Sequence, residues 1–329
     1  MCSLFGWIDY QGVVPHKVLR KLTQALANAA EERGTDASGI SYVKDGQIVI
    51  FKRPKAAHKL HFNPPEGTRA VMGHTRLTTQ GTEKNNANNH PFYGNTGNTS
   101  FAFAHNGIIY NDKELRKEKQ LPVTGIETDS YIAVQLIESQ HKLDFDSLRY
   151  MAAAVHGSFT FSVLDQNYNL YLVKGSNPLC LLHFESLGLF VYASTESIMK
   201  KAVKRIGLLK FASERIEVDE GDIIRIDKDG NLTRSEFTPA PTYTHFSHCK
   251  WWYGGYEDYF STYEETLVEM AHLFGADEND VILLLDYGYT ADEVADLMMD
   301  ENLFYEIVLE VKLMEGENVY ENYCYGGVF

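Results

Sequence analysis

The chain has 329 residues, 44% of them hydrophobic and 23% charged. That length supports one large domain plus a small one, each able to bury a core. Four scattered cysteines, Cys2, Cys180, Cys249 and Cys324, exclude a disulfide framework and fit a reducing compartment, while the net charge of −15 hides an uneven distribution taken up below.

In chain order, Met1-Cys2-Ser3-Leu4-Phe5-Gly6-Trp7-Ile8 reads as an opening strand. Asp9 and Gln11 interrupt any apolar run and no basic stretch precedes it, so it does not read as a signal peptide. A cytoplasmic location is expected. His16 to Arg33 carries Val18, Leu19, Leu22, Ala25, Leu26 and Ala29 at helical spacing, with Gly34 as the stop. Ile40–Lys44 and Gln47–Phe51 flank Asp45-Gly46, a hairpin signal. After the loop Pro54 to Gly67, a strand runs from Arg69 into Gly73-His74-Thr75-Arg76. Thr78 to Asn98 is long, polar and without periodicity, a length of loop that usually has a task such as a lid. Phe101 to His105 alternates as a strand and ends at Asn106-Gly107. Helices are expected over Ser130–Gln140 and Asp146–Val155. Strands follow at Phe159–Leu164, Leu170–Val173, Leu179–His183 and Leu189–Ala193, then a helix over Glu196–Val203 and strands at Arg215–Val218 and Asp222–Ile226. Short links between many strands predict an α+β fold of mainly antiparallel sheets.

Thr238-Pro239-Ala240-Pro241-Thr242 is a stiff linker by composition, and 238–255 is expected to separate a body over 1–237 from a small helical domain over 256–329. Candidate helices there are Tyr256–Phe274, Asn279–Tyr287 ended by Gly288, one opened by the capping sequence Thr290-Ala291-Asp292-Glu293, and Asn302–Leu313. From Tyr256 to Phe329 nineteen acidic residues accompany a single basic one, Lys312, for a net −18, whereas the first 255 residues carry +3. Nucleic acid or a phosphorylated substrate would be repelled by that end. It reads either as a docking element for a basic partner surface or as a solvated cap. The longest apolar run, Val281 to Leu285, is too short to span a bilayer, so no membrane is expected as a partner. His245, His248 and Cys249 lie close together, but the spacing completes no zinc set with later residues. No metal and no cofactor is expected.

Several polar residues carry chemistry only in combination. Cys2 follows the initiator methionine; with Met1 removed it holds a thiol and a free α-amine, whose reference pKa of about 7.7–8.0 suits a general base. Taken singly, Arg76 fits a surface salt bridge, Asn106-Gly107 a turn, Asp129 a helix cap and His90 a local hydrogen bond. Together, Cys2-Ser3-Leu4-Phe5-Gly6, Arg33-Gly34-Thr35-Asp36-Ala37-Ser38-Gly39, Gly73-His74-Thr75-Arg76, Asn89-His90-Pro91-Phe92, Ala104-His105-Asn106-Gly107 and Glu127-Thr128-Asp129-Ser130 occur in one order. With Gly157-Ser158-Phe159, Ala193-Ser194-Thr195-Glu196-Ser197 and Glu220-Gly221-Asp222-Ile223, this set resembles the glutaminase domain of class II glutamine amidotransferases. That is the N-terminal-nucleophile module of glucosamine-6-phosphate synthase and amidophosphoribosyltransferase, and the resemblance covers roughly residues 2 to 237.

The resemblance implies a four-layer αββα Ntn-hydrolase sandwich and a catalytic Cys2 that attacks the γ-amide of L-glutamine. It implies that Arg76 grips the α-carboxylate, that Asp129 pairs with the α-ammonium, and that Asn106 and Gly107 form the oxyanion hole. Thr79 and His90 occupy positions that resemble substrate-pocket residues. The products would be glutamate and ammonia, the ammonia passing to a separate synthase partner for which the acidic end is a candidate dock. One departure is Leu77, where glucosamine-6-phosphate synthase has an aromatic residue that closes the site. Two other readings stay open: a hydrolase of this fold acting on another γ-glutamyl amide, and a non-catalytic interaction protein on the same scaffold.

Overall fold

A computed structural model describes residues 2–239, 267–268, 271, 276–289, 291–298 and 301–314. The chain divides into two compact units, 1–245 and 246–329. In the first, thirteen strands among the described residues form two sheets. One has seven strands: β1 (Ser3–Asp9), β2 (Ala37–Lys44), β3 (Gln47–Arg53), β4 (Ala70–Arg76), β9 (Cys180–Phe184), β10 (Leu189–Ala193) and β11 (Glu214–Ile216), in the order β11-β9-β10-β1-β4-β2-β3. The other contains β5 (Phe92–Asn95), β6 (Ser100–Ile109), β7 (Gly157–Asp165), β8 (Leu170–Lys174), β12 (Asp222–Ile226) and β13 (Leu232–Glu236), in the order β13-β12-β8-β7-β6-β5. Every neighbouring pair is antiparallel.

Three apolar clusters account for the layering. Between the sheets, Leu4, Ile8, Met72, Leu181 and Tyr192 of the first meet Ala102, Ala104, Leu164, Leu172 and Ile224 of the second. Helices α1 (His16–Ala29) and α5 (Glu196–Arg205) cover the outer face of the seven-stranded sheet through Leu19, Leu22, Leu26, Ile198, Met199 and Val203, packed with Phe5, Trp7 and Val191. Helices α3 (Tyr131–Ser139) and α4 (Phe145–Ala154) cover the other sheet through Ile132, Leu136, Leu148 and Met151, packed with Phe103, Phe161 and Val173. Central strands buried on both faces therefore read as apolar runs, and the result is an αββα sandwich. Local chemistry sets the helix starts: Asp144 and Ser147 form a reciprocal capping box on α4, and the Thr195 hydroxyl accepts from the Ile198 amide on α5.

Several expectations shift in detail. The first helix ends as α at Ala29 and continues as a 3₁₀ turn over Ala30–Arg33. Asn106-Gly107 is not a turn: β6 runs on through it to Ile109, with Gly107 opposite Phe159. The dipeptide signalled a positive φ, and Gly107 has one, +141°, but it is spent inside a strand. The polar stretch after Thr78 holds a 3₁₀ turn over Asn86–Asn88 and the short edge strand β5. Helix α2 (Asp112–Glu118) and β13 carry too few apolar residues for periodicity to show them.

In the second unit, α6 (Glu278–Tyr287), α7 (Ala291–Leu297) and α8 (Glu301–Met314) share a core of Val281, Leu284, Val294, Met298, Phe304, Val308 and Val311. The Asp277 carboxylate accepts from the Asn279 amide at the start of α6, and Gly288 ends that helix with φ +111°. Of the expected helix Tyr256–Phe274 only Leu267, Val268 and Ala271 are described, while the linker beyond Pro239, Thr290, His245, His248 and Cys249 lie outside the described residues. Among the described residues no helix is long and apolar enough to cross a membrane, and no cluster of side chains suits a metal ion.

Candidate active site

The ends of β1 and β4 meet at one corner of the sandwich. Ser3 pairs with Thr75, which places Cys2 beside Arg76 as both strands leave the sheet. The Cys2 thiol donates to the Leu77 carbonyl at 3.4 Å, and the Arg33 Nε donates to the Cys2 carbonyl at 3.2 Å. The turn after Arg33 braces the same corner. A Cβ on Gly34 would sit 2.5 Å from the Arg76 carbonyl carbon, so only glycine lets the chains approach this closely. Asp36 accepts from the Thr78 amide at 2.7 Å, and its own amide donates to the Arg76 carbonyl. On the other side of β1, the Leu4 amide donates to the Ser194 hydroxyl at 2.8 Å, and the Ser194 amide donates back to the Leu4 carbonyl.

A pocket opens at this corner with about 240 Å3 of atom-free space, its mouth included, lined by Cys2, Arg76, Leu77, Thr79, Gln80, His90, His105, Gly107, Thr128, Asp129 and Ser130. Cys2 is buried, and burial pushes its thiol up from the ordinary range while the Arg76 charge opposes that rise. Arg76 is buried and has no carboxylate in ion-pair contact among the described residues, which removes the surface salt bridge as its role. Its Nη1 donates to Asn89 Oδ1 at 2.7 Å, and its Nη2 donates to the carbonyls of Gln80 at 2.6 Å and Gly81 at 3.3 Å. Asp129 does not cap α3. One of its carboxylate oxygens accepts from the Ile109 amide at 2.6 Å, and the other accepts from the Ser130 hydroxyl at 3.3 Å.

The second sheet supplies the facing wall. Gly107 is obligatory there, because a Cβ would fall 1.9 Å from the Ser158 carbonyl oxygen. Asn106 is fully buried, and neither atom of its side-chain amide has a hydrogen-bond partner among the described residues. Its carbonyl accepts from Asn177 Nδ2 at 2.9 Å. Three buried histidines cluster here, His90 and His105 lining the pocket and His74 beside them. His74 Nε2 donates to the His105 carbonyl at 2.9 Å, and the rings of His74 and His90 lie 4.2 Å apart. Burial holds His74 down at about 3 and lowers His90 and His105 as well, so all three are neutral near pH 7. Neither ring nitrogen of His90 has a partner among the described residues, so the local hydrogen bond expected of a histidine before proline is not made.

Residues 74–201 match the family model described as a glutamine amidotransferase domain. The chain is 31% identical over 242 residues to glutamine–fructose-6-phosphate aminotransferase (isomerizing) of Staphylococcus aureus (strain Mu50), covering 70% of this chain and 36% of that one. The enzyme of the same name from Staphylococcus epidermidis (strain RP62A) is 30% identical over 238 residues, with the same shares covered. The body is a class II glutamine amidotransferase domain. The Bacillus subtilis glutamine phosphoribosylpyrophosphate amidotransferase, solved with ADP and GMP, superposes on 72% of this chain and 49% of its own with a TM-score of 0.56. At 19% identity that likeness speaks for the Ntn-hydrolase fold alone. The chain spans about a third of the length of the curated relatives it matches.

Within this amidotransferase domain, Cys2, Arg76, Thr79, His90, Gly107 and Asp129 share one pocket, and Asn106 lies next to it in β6 without lining it. Gln80, His105, Thr128 and Ser130 line the pocket without having been singled out; three of them sit inside the motifs that carry the resemblance, and Gln80 had no signal beyond its place in the polar loop. The buried histidines make the domain acid-sensitive. Their folded pKa values lie below the unfolded value of about 6.5, so the unfolded chain binds more protons below that pH and stability falls as pH drops. His74 alone should cost the fold roughly 1 kcal/mol at pH 5.5. Thermal unfolding followed between pH 7 and 5.5 should show a falling midpoint, with a shallower slope in His74→Gln; equal slopes in the two proteins would contradict the assignment.

Proposed function

We propose that this chain hydrolyses the side-chain amide of L-glutamine to glutamate and ammonia through a γ-glutamyl thioester on Cys2. The observation that carries the reading is a buried thiol sharing one small pocket with a guanidinium and a carboxylate, which suit the two charged groups at the far end of glutamine. The α-carboxylate is read on Arg76 and the α-ammonium on Asp129, with Thr79 and His90 walling the pocket. After removal of Met1, the Cys2 α-amine takes the thiol proton through a water. Burial raises the thiol from its ordinary range, which favours a base beside it. Sulfur attacks the γ-carbon, and the developing oxyanion is read on the Gly107 N–H and the Asn106 amide; the latter's lack of a protein partner supports a donor held for a transient charge. The amine returns its proton to the leaving nitrogen, the C–N bond breaks, and ammonia departs. Water then cleaves the thioester, giving glutamate and the free thiol.

The departing ammonia is read as passing to a separate acceptor, and the names of the relatives, which describe an amino transfer, support an onward step. We assign 1–237 to the glutaminase domain, 238–255 to a linker and 256–329 to a docking element. The net −18 of that last region supports a basic partner face. With the acceptor added, glutamine hydrolysis should rise, and deletion of residues 242–329 should remove the stimulation while leaving the basal rate. Stimulation that survives the deletion would place docking elsewhere.

The hydrolysis itself is tested by Cys2→Ala. That variant should fold as the wild type by circular dichroism and release ammonia from L-glutamine at least about a thousandfold more slowly. Retained release, or a wild type that cleaves other γ-glutamyl amides faster than glutamine, would overturn the assignment.

A further inference from the structure

We infer that Lys52 is a second cation of the substrate-carboxylate site, a positioning residue that acts on Arg76 through Asn89. The inference rests on the glutamine reading above and adds a residue from a strand that contributes nothing to the pocket lining. Lys52 lies on β3, and its ammonium donates to the Asn89 carbonyl, with the Ala87 carbonyl 3.5 Å away. The same segment donates back, with Asn86 Nδ2 giving a hydrogen bond to the Lys52 carbonyl at 3.1 Å. The same ammonium stands 5.1 Å over the Phe92 ring. Residues 86–92 are thus seated on the sheet at one lysine. Gly39, the cross-strand partner of Lys52, makes the seat possible: a Cβ there would fall 2.5 Å from the His90 carbonyl oxygen and 2.7 Å from the Lys52 Cβ.

Asn89 is fully buried and stands between two cations. Its carbonyl takes Lys52, its Oδ1 takes Arg76 Nη1 at 2.7 Å, and its Nδ2 donates to the Glu83 carbonyl at 2.8 Å and to Asn86 Oδ1 at 3.2 Å. Every hydrogen-bonding group of that side chain is engaged, so its orientation, and with it the guanidinium's, follows from where Lys52 holds the backbone. Among the described residues neither Lys52 nor Arg76 has a carboxylate in ion-pair contact; Asp36, Glu83 and Asp129 act on Arg76 only at longer range. Burial, followed by the Arg76 charge, pushes the Lys52 ammonium down to about 8. Two half-buried and buried cations that repel one another are relieved when an anion arrives, and in this pocket the anion that fits is the α-carboxylate of the amino-acid substrate.

The experiment compares L-glutamine with its α-carboxamide, which keeps the ammonium and the side-chain amide but has no α-carboxylate, in wild type, Lys52→Met and Lys52→Arg. Lys52→Met should raise KM for L-glutamine about tenfold with kcat within about threefold, and the kcat/KM preference for glutamine over the carboxamide should fall about tenfold. Lys52→Arg, which keeps the charge, should recover most of that preference. An unchanged KM in Lys52→Met, or an equal loss on both substrates, would overturn the inference, because a purely structural tie does not distinguish a carboxylate from a carboxamide. If Lys52→Met does not fold, Lys52→Gln, which keeps a donor for the Asn89 carbonyl but not the charge, should show a smaller fall in preference in the same direction. Calorimetric binding of both compounds to the same Lys52 variants in a Cys2→Ala background reads that preference independently of turnover. A wild type that binds glutamine but releases no ammonia would defeat the hydrolysis reading and leave the carboxylate site standing.

Discussion

The antiparallel register of β1 on β4 sets Ser3 opposite Thr75, and one residue further out the thiol and the guanidinium come side by side. A slip of one residue would turn every side chain of β1 to the other face, sending Leu4 and Ile8 out of the inter-sheet core and Phe5 and Trp7 off the helices. Both faces of this strand are packed, so the register is specified from two sides at once. Two glycines of the pair, Gly73 opposite Phe5 and Gly6 opposite Met72, enforce it sterically. A Cβ on Gly73 would lie 2.2 Å from the Phe5 ring, and one on Gly6 would lie 2.3 Å from the Val71 carbonyl oxygen. The position of Cys2 is therefore a consequence of core packing and needs no flexible segment to hold it.

The facing half of the site depends on how closely the second sheet approaches. Ala102 and Ala104 are the inward residues of β6, and their small size brings the backbone of His105–Gly107 near enough for His74 to bridge the sheets. That bridge lies among buried polar atoms, and it is kept neutral by desolvation. Among the described residues the Asn106 amide stands near it as an uncompensated group. An unsatisfied buried amide costs roughly 1–3 kcal/mol, which the packed sandwich must offset. Such a cost is typical of sites where donors wait for a charge that appears only during reaction. The same logic covers Arg76 and Lys52, two cations held by neutral oxygens where a surface pair would have used carboxylates.

Much of this was legible in the sequence, for definable reasons. Strands buried on both faces leave apolar runs, so β1, β4, β7, β8 and β10 were visible, and the amphipathic spacing of α1 and the cap of α5 marked those helices. Motifs carrying Cys2, Arg76, Gly107 and Asp129 were visible because each needs one residue type. What was not legible depends on tertiary contact. Asn106-Gly107 has turn chemistry and is in a strand, because the Ser158 backbone occupies the space a Cβ would need. Lys52 alternates outward on an edge strand and looks like a solubilising charge until residues 86–89 fold back on it. Asn177 reaches β6 from a loop seventy-one positions away, with no local pattern to announce it.

On the reading proposed above, Cys2, freed of the residue before it, carries the acyl group of glutamine. The most direct measurement is the mass of the N-terminal peptide after the protein is mixed with L-glutamine and quenched in acid. The expected result is a peptide that begins at Cys2, with a fraction of it bearing a hydroxylamine-labile γ-glutamyl group. A peptide that begins at Met1, or one that begins at Cys2 and never carries the adduct while ammonia is being released, would contradict it.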